Sequence, residues 1–205
     1  MARKPQQRAV ETRARLLQAV ETLAEQNGLD RLTAEAIATA AGVAKGTLFA
    51  HFGDMDGLLS HVLLRQLDAL LEAPTDPRPD PLPTDQPLTL LFLKLTRLIE
   101  VITESQTSLR LFLKGTGYGG DGTCAPDFIA TLGALDQELC DFLRRWQQTP
   151  TWTPSLRTTL TPEEMTDGLI AFTVHASLKY RSGEVSELPQ VLDRLRVHVH
   201  AYLLA

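Results

Sequence analysis

Apolar residues recur every three or four positions, the spacing of an α-helix, along almost the whole sequence. No segment alternates apolar and polar residues for long enough to predict a half-buried β-strand. Glycines and prolines interrupt the helical pattern, and each interruption predicts the end of one helix and the start of another. The sequence therefore predicts an all-α fold.

Residues 37–59 read as two short helices around a glycine turn. Ile37 and Ala41 are apolar or small at close helical spacing, so the two helices can cross tightly. Gly42 supplies the positive φ that a sharp turn after a helix needs. The second helix would begin with four residues that are small or basic: Ala44, Lys45, Gly46 and Thr47. Such a helix can enter a DNA major groove, which is about 12 Å wide, so the segment predicts a helix-turn-helix.

The helices around this segment have recognisable ends. The first is predicted over residues 8–26, with Gly28 as its stop signal. The hydroxyl of Thr33 can cap the second helix. Asp54 is the expected N-cap of a long, leucine-rich fourth helix. The pattern predicts an N-terminal three-helix domain that is joined through this fourth helix to a C-terminal helical bundle.

A proline-rich stretch separates the two parts. Residues 74–87 hold six of the twelve prolines, which predicts a loop near the domain boundary. We assign residues 1–53 to the helix-turn-helix domain and residues 54–205 to a helical effector-binding and dimerisation domain. Residues 88–113 are apolar on several faces and predict one or two buried helices. The glycines of residues 115–122 follow a lysine instead of preceding one, so they form a loop and not a P-loop.

The last two helices carry a pattern that predicts self-association. Thr161 to Glu164 combine an N-cap hydroxyl, a proline at the first helical position and a capping-box glutamate. The helix that follows has two apolar stripes, more than one core easily covers. A second copy of the chain could cover the extra stripe across a two-fold axis; the alternative is a wide intramolecular core. The predicted dimer interface comprises Ile170, Val174, Leu178, Leu192, Leu195 and Val199.

Charge is distributed unevenly along the chain. The net charge is −5, yet residues 1–53 carry seven Lys or Arg against five Asp or Glu. The first fifteen residues alone hold five basic side chains and one acidic side chain. This basic segment is either an ordinary solvated tail or a DNA phosphate contact, and its place beside the predicted helix-turn-helix favours the second reading.

Several other functions are not supported by the sequence. No apolar run approaches the roughly 18 residues of a membrane span, and no signal peptide is evident, so we expect a cytoplasmic protein. Cys124 and Cys140 fit neither a disulfide framework nor a zinc site. His198 and His200 lie two apart on a helix and diverge. We therefore expect no metal, no cofactor and no enzymatic activity.

Residues 12–59 resemble the DNA-binding domain of the TetR family of transcriptional regulators. The segment TRARLLQAV, with Leu23 and Gly28, resembles that family's first helix. TAEAIATAAGV resembles the second helix, and AKGTLFAHF followed by DGLL resembles the recognition helix and the start of the fourth. Beyond residue 59 the resemblance is limited to the helical layout.

The resemblance implies roles for individual residues. Thr33, Phe49 and His51 match phosphate-contacting positions, and Gly46 matches a point of close backbone approach. Ala44, Lys45 and Thr47 match the residues that face the groove. Independently of the resemblance, the basic N-terminal segment predicts a phosphate contact from Arg8 that does not select sequence. The family often has tyrosine in place of Phe49 and usually has lysine in place of Met55. Both differences should lower affinity with little effect on sequence choice, because phosphate contacts position the protein and base contacts specify.

The resemblance also implies a mechanism. A homodimer would place two recognition helices in successive major grooves of a near-palindromic operator, about 34–36 Å apart, and repress transcription. A small apolar or amphipathic effector would release it. The candidate pocket residues, chosen because they lie on central helices, are Phe92, Phe112, Phe128, Trp146, Phe172 and His175. The alternative is a helical small-molecule-binding or scaffold protein that has lost operator binding.

Overall fold

The computed structural model of the chain describes residues 5–72, 86–117 and 124–204. Over these residues the chain forms nine α-helices and one short 3-10 helix at Leu29–Arg31, with no strand. The helices are α1 (Pro5–Asn27), α2 (Ala34–Ala40), α3 (Lys45–Phe52), α4 (Met55–Glu72), α5 (Gln86–Thr103), α6 (Gln106–Gly115), α7 (Pro126–Gln148), α8 (Pro162–Arg181) and α9 (Leu188–Leu203). The predicted all-α fold is confirmed.

The helices form two compact units. The N-terminal unit comprises α1, α2, α3, most of α4, α6 and the start of α7. The C-terminal unit comprises the end of α4, α5, the rest of α7, α8 and α9. The N-terminal unit therefore includes helices from well beyond residue 53. The assignment of separate functions to residues 1–53 and 54–205 remains a prediction.

In the N-terminal unit, local sequence signals set the helix ends. Thr33 caps α2 as predicted, and its Oγ1 accepts a hydrogen bond from the backbone N–H of Ala36 at 3.2 Å. Asp54 precedes α4, and its carboxylate accepts from the N–H of Gly57 at 2.7 Å. Between these ends, the side chains that the unit buries completely include Leu16, Val20, Ile37, Leu48, Leu58 and Leu63.

In the C-terminal unit, α8 and α9 pack on a core that Trp146 anchors. The predicted capping box is present: the N–H of Thr161 donates to the Glu164 carboxylate at 2.7 Å, and the N–H of Glu164 donates to Thr161 Oγ1 at 3.2 Å. The indole N–H of Trp146 donates to the carbonyl of Pro154 at 2.9 Å. This core holds the buried stripe of α9, which consists of Val191, Leu195, Val199 and Leu203.

Some predicted boundaries need correction. The loop predicted over residues 74–87 ends earlier, because α5 begins at Gln86 and includes Pro87. Proline is tolerated there because the first backbone N–H groups of a helix have no intrahelical partner. Residues 88–113 form two helices, divided where Ser105 caps α6 by accepting from the N–H of Ser108 at 2.9 Å. Residues 73–85 and 118–123 lie outside the described part of the chain.

Gly168 allows α8 and α9 to pack closely. A Cβ at this position would lie 2.4 Å from the ring of Tyr202. That ring is held in place because its hydroxyl donates to the carbonyl of Glu164 at 2.6 Å. Only a residue without a Cβ fits this contact.

Gly168→Ala should therefore destabilise the protein, by about 1–3 kcal/mol from overpacking. Gly133→Ala is a matched control on α7, where an added Cβ meets nothing within 4 Å. The control should stabilise the helix by about 0.5–1 kcal/mol. Urea unfolding measures both changes, and equal stability of Gly168→Ala and the wild type would contradict this packing.

Candidate nucleic-acid interface

The turn between α2 and α3 has fixed geometry. Gly42 has φ of +65°, as a left-handed residue after a helix requires. Its N–H donates to the carbonyl of Thr39 at 3.1 Å, and the N–H of Val43 donates to the carbonyl of Ala38 at 2.9 Å. These are the two hydrogen bonds of a Schellman motif. They set the direction in which α3 leaves α2, as the sequence predicted.

Helix α3 has one buried face and one face in solvent. Leu48 and Phe52 are buried and hold α3 in the N-terminal unit. The residues predicted to contact DNA from this helix lie at the other face or its edge: Ala44, Lys45 and Gly46 are exposed, and Thr47, Phe49 and His51 are half-buried. The start of α3 is therefore exposed to solvent.

Gly46 has no structural reason to be glycine. A Cβ built there meets nothing within 4 Å. Five glycines among the described residues have a positive φ, and Gly46 is not one of them. Its backbone conformation therefore does not require glycine. Glycine within a helix costs roughly 0.5–1 kcal/mol relative to alanine. Contact with an outside partner that approaches the backbone closely would account for glycine at this position.

The basic N-terminal segment is only partly available to DNA. Arg13 lies 4.5 Å from the centroid of the Phe52 ring and hydrogen-bonds His61 Nε2 at 2.9 Å. Arg15 donates to the carbonyl of Ala41 at 3.3 Å. Arg8 is exposed on the first turns of α1. Arg3 and Lys4 lie outside the described residues. Arg8 is therefore the best candidate for a phosphate contact among the described arginines of this segment.

His61, in the N-terminal unit, has a lowered pKa. Burial lowers the pKa of His61, and the positive charge of Arg13 lowers it further, although Asp127 opposes both effects. The His61 ring also packs edge-on against Phe52, with 5.6 Å between the ring centroids. A proton on His61 would face the Arg13 guanidinium directly.

The free energy of unfolding should therefore fall as the pH drops below 6.5, the ordinary pKa of the imidazole. Below that pH the unfolded chain takes up the proton more readily than the folded chain, because the folded pKa is depressed. His61→Gln should flatten this dependence, and His51→Gln is the control. Urea titrations across this pH range measure the slope, and an equal slope in His61→Gln and the wild type would contradict the assignment.

Two aspartates attach α6 to the helices of the N-terminal unit. The Asp30 carboxylate accepts from the N–H groups of Gln106 and Thr107 at 3.0 and 2.8 Å and so caps the start of α6. Asp30 lies in the short 3-10 helix that follows α1. Sequence reasoning missed this contact because the partners are 76 and 77 residues apart.

Asp56 makes the second attachment, from the first turn of α4. Its two carboxylate oxygens pair with Arg110 Nη1 and Lys114 Nζ, each at 2.6 Å. Burial raises the pKa of Asp56, but the hydrogen bonds and charges of Arg110 and Lys114 outweigh burial and lower it overall. Both ends of α6 are therefore bound to elements that flank the helix-turn-helix.

The predicted effector residues do not share one pocket. Phe92 and Trp146 are buried in the core of the C-terminal unit, and Phe112 and Phe128 are buried in the N-terminal unit. Phe172 and His175 line a crevice between α8 and α9. Buried aromatic residues commonly fill the core of a protein. The sequence could not separate core residues from pocket residues, because their spacing on a helix is the same in both cases.

A separate leucine crevice lies in the C-terminal unit, and sequence reasoning missed it. Its polar rim includes Arg97 and the ion pair between Lys94 and Glu138. Leu93 is 45% exposed at its edge. The apolar lining comes from the end of α4, α5 and α7 and consists of Leu70, Leu90, Leu93, Leu95, Leu98, Leu135 and Leu139. This is the composition of a site for an apolar or amphipathic ligand.

The predicted dimer interface also needs correction. Val174, Leu195 and Val199 are 8%, 2% and 0% exposed within the single chain, so they pack in its own interior. Ile170 and Leu192 are half-buried, and Leu178 is 45% exposed. Val197, which the prediction omitted, is 67% exposed on α9. The apolar surface left for a partner therefore centres on Leu178 and Val197.

Within residues 5–72, 86–117 and 124–204, no three His, Cys, Asp or Glu side chains lie together as a metal site would require. Within the same ranges, none of the helices combines the length and apolar character needed to cross a membrane.

The segment that contains this interface is similar to known bacterial regulatory proteins. The model of the bacterial regulatory proteins of the tetR family matches residues 16–62, which include α2 and α3. An HTH-type transcriptional regulator of Mycobacterium bovis is 40% identical over 92 residues, which is 42% of this chain and 44% of the relative. AcrR of Shigella flexneri is 40% identical over 62 residues, 30% of this chain and 29% of AcrR. The matched segment thus spans less than half the length of these relatives.

Solved structures with a similar fold cover nearly the whole chain. A TetR-family transcriptional regulator from Rhodococcus sp. has a TM-score of 0.60 and 21% identity, over 95% of this chain and 99% of that one. FadR of Thermus thermophilus, a TetR-family repressor solved with lauroyl-CoA, has a TM-score of 0.60 and 19% identity, over 91% and 92% of the two chains. At these identities the similarity shows the fold.

Proposed function

Since the chain belongs to the TetR family of DNA-binding transcriptional regulators, we propose that it represses transcription by binding a near-palindromic operator as a homodimer. A small apolar or amphipathic effector releases it. The observation that carries this proposal is the start of α3, where Ala44, Lys45 and Gly46 are exposed and glycine has no internal role. The protein is a regulator and not an enzyme.

DNA sequence is read from the first turn of α3. The Lys45 ammonium can donate to the O6 and N7 acceptors of guanine, and the Thr47 hydroxyl and methyl can contact a base edge. Thr33 and Arg8 lie outside α3 and contact phosphates, which fix the register of the protein without selecting sequence. Gly46 lets the backbone of α3 approach the groove closely.

The second copy of the chain fixes the distance between the two reading helices. Half-sites one helical turn apart require α3 helices about 34–36 Å apart. The exposed Leu178 on α8 and Val197 on α9 are the apolar side chains that a partner would cover. Ile170 and Leu192 extend this surface.

The effector binds in the leucine crevice of the C-terminal unit. Its leucines suit an apolar body, and Arg97 at its rim suits an acidic head group. The lauroyl-CoA complex of FadR supports this class of ligand for a chain of the same fold. The signal reaches α3 through α4, which contributes Leu70 to the crevice and Asp56 to the attachment of α6. A coupling of about 1–3 kcal/mol is typical for such regulation.

Gly46→Ala should change the stability of the protein and its affinity for the operator in opposite directions. In the unbound protein it should raise the free energy of unfolding by about 0.5–1 kcal/mol, because alanine favours the helix and meets no neighbour. On DNA the added methyl should hold α3 away from the groove and lower operator affinity. Urea unfolding and an operator titration measure the two effects. Unchanged operator affinity would contradict the close approach of α3.

A further inference from the structure

The crevice between α8 and α9 is distinct from the leucine crevice. Its floor includes Leu195, which is 2% exposed. One wall is Phe172, whose ring stacks on the imidazole of His198 with 5.8 Å between centroids and 25° between planes. The volume is about 100 Å³ and the crevice opens to solvent on one side. It therefore has an apolar interior and an aromatic wall.

The rim of this crevice is basic in a chain whose net charge is −5. His175 and Lys179 reach it from α8, and Arg194 and His198 reach it from α9. Glu184 pairs with Lys179 beside the rim. The hydrogen bond and charge of Lys179 lower the pKa of Glu184, and Arg194 and His175 contribute to the same lowering. Glu184 thus lies in the field of several cations.

We propose that the α8–α9 crevice binds a small monocarboxylate whose body is one aromatic ring or a short aliphatic chain. The apolar body lies on Leu195 and against Phe172, and the carboxylate lies at the rim. Arg194 can hold the carboxylate by two parallel hydrogen bonds. The volume of about 100 Å³ is below the roughly 150 Å³ of an enclosed apolar cavity that holds one benzene molecule. The body of the ligand can therefore be no larger than one ring, and part of that ring would extend through the open side of the crevice.

An apolar floor beneath a cationic rim selects for both parts of this ligand. Inorganic phosphate gains nothing from the floor. A neutral aromatic alcohol can accept one hydrogen bond from Arg194, but it lacks the negative charge and the second oxygen of a bidentate pair. An acidic side chain from a second copy of the chain is the competing occupant. Ligand binding to this crevice is measured in the absence of DNA, so its test does not depend on operator binding.

Calorimetric titration of the full-length protein with benzoate, benzyl alcohol and phosphate tests the site. Benzoate should bind with one site per chain, and each of the other probes should bind at least about tenfold more weakly. Arg194→Gln should weaken benzoate binding about tenfold, because a charge-assisted hydrogen bond is lost. Arg145→Gln, which removes an exposed arginine of α7 that lines neither crevice, is the matched control and should leave benzoate affinity unchanged.

Several outcomes would overturn the proposal. These are the absence of saturable benzoate binding, equal binding of phosphate, and an equal loss of affinity in Arg145→Gln and Arg194→Gln. Benzoate binding that occurs only after dilution to monomers would assign the crevice to the second copy instead. Operator binding is scored separately, so failure here leaves the proposed function standing, and failure of operator binding leaves this site standing.

Discussion

Leu178→Glu is expected to convert the protein to monomers and to lower its affinity for the full operator by about 10²–10⁴-fold. Leu178 is an exposed apolar side chain on α8, at 45% exposure, and a buried carboxylate in a two-fold interface would face its own copy. Without the dimer, the second half-site no longer binds as an intramolecular event. Affinity for an isolated half-site should stay unchanged, because α3 is untouched.

Ile129→Glu is the matched control for this experiment. Ile129 has a similar exposure of 43% but lies on α7, and it lines neither crevice. This variant should remain a dimer and bind the full operator like the wild type. Sedimentation velocity gives the assembly state, and operator titrations give the affinity. A Leu178→Glu protein that sediments like the wild type would contradict the proposed interface.

Lys45→Ala and Thr47→Ala should each weaken cognate binding by about 1–3 kcal/mol while leaving binding to random DNA nearly unchanged. The reason is that both side chains lie on the first turn of α3 and are proposed to contact base edges. Arg8→Ala should weaken binding to cognate and random DNA alike and reduce the salt slope by about one.

Fluorescence anisotropy with cognate and scrambled duplexes over a range of salt concentrations separates these classes. Specific readout appears as a change in the ratio of the two affinities, and a phosphate contact appears as a change in salt dependence. Equal losses on both duplexes in Lys45→Ala and Thr47→Ala would rule out base readout by these residues.

The turn and the helix starts could be predicted because their signals are local. Gly42, Thr33 and the Thr161 to Glu164 capping box each act on backbone groups within a few residues, and each is confirmed by its hydrogen bonds. By contrast, Asp30 and Asp56 hold α6 from 54 to 77 residues away. No spacing in the sequence reports such a contact.

The apolar stripes of α8 and α9 show a different limit of sequence reasoning. Helical periodicity identifies Leu195 and Val199 as one apolar face, but it does not say whether the chain itself or a second copy covers that face. The core of the same chain covers both residues. The same ambiguity explains the predicted pocket, where Phe128 and Trp146 proved to be core residues.

Selection of bound fragments from genomic DNA, followed by footprinting of the recovered sites, determines whether the protein reads DNA as a dimer. We expect a few strongly enriched fragments, each with two protected half-sites whose centres lie about 10–10.5 base pairs apart on one face of the duplex. Binding to them should weaken steeply as salt increases. If no fragment is enriched over random DNA at any ionic strength, the chain does not read DNA and the proposed function is wrong.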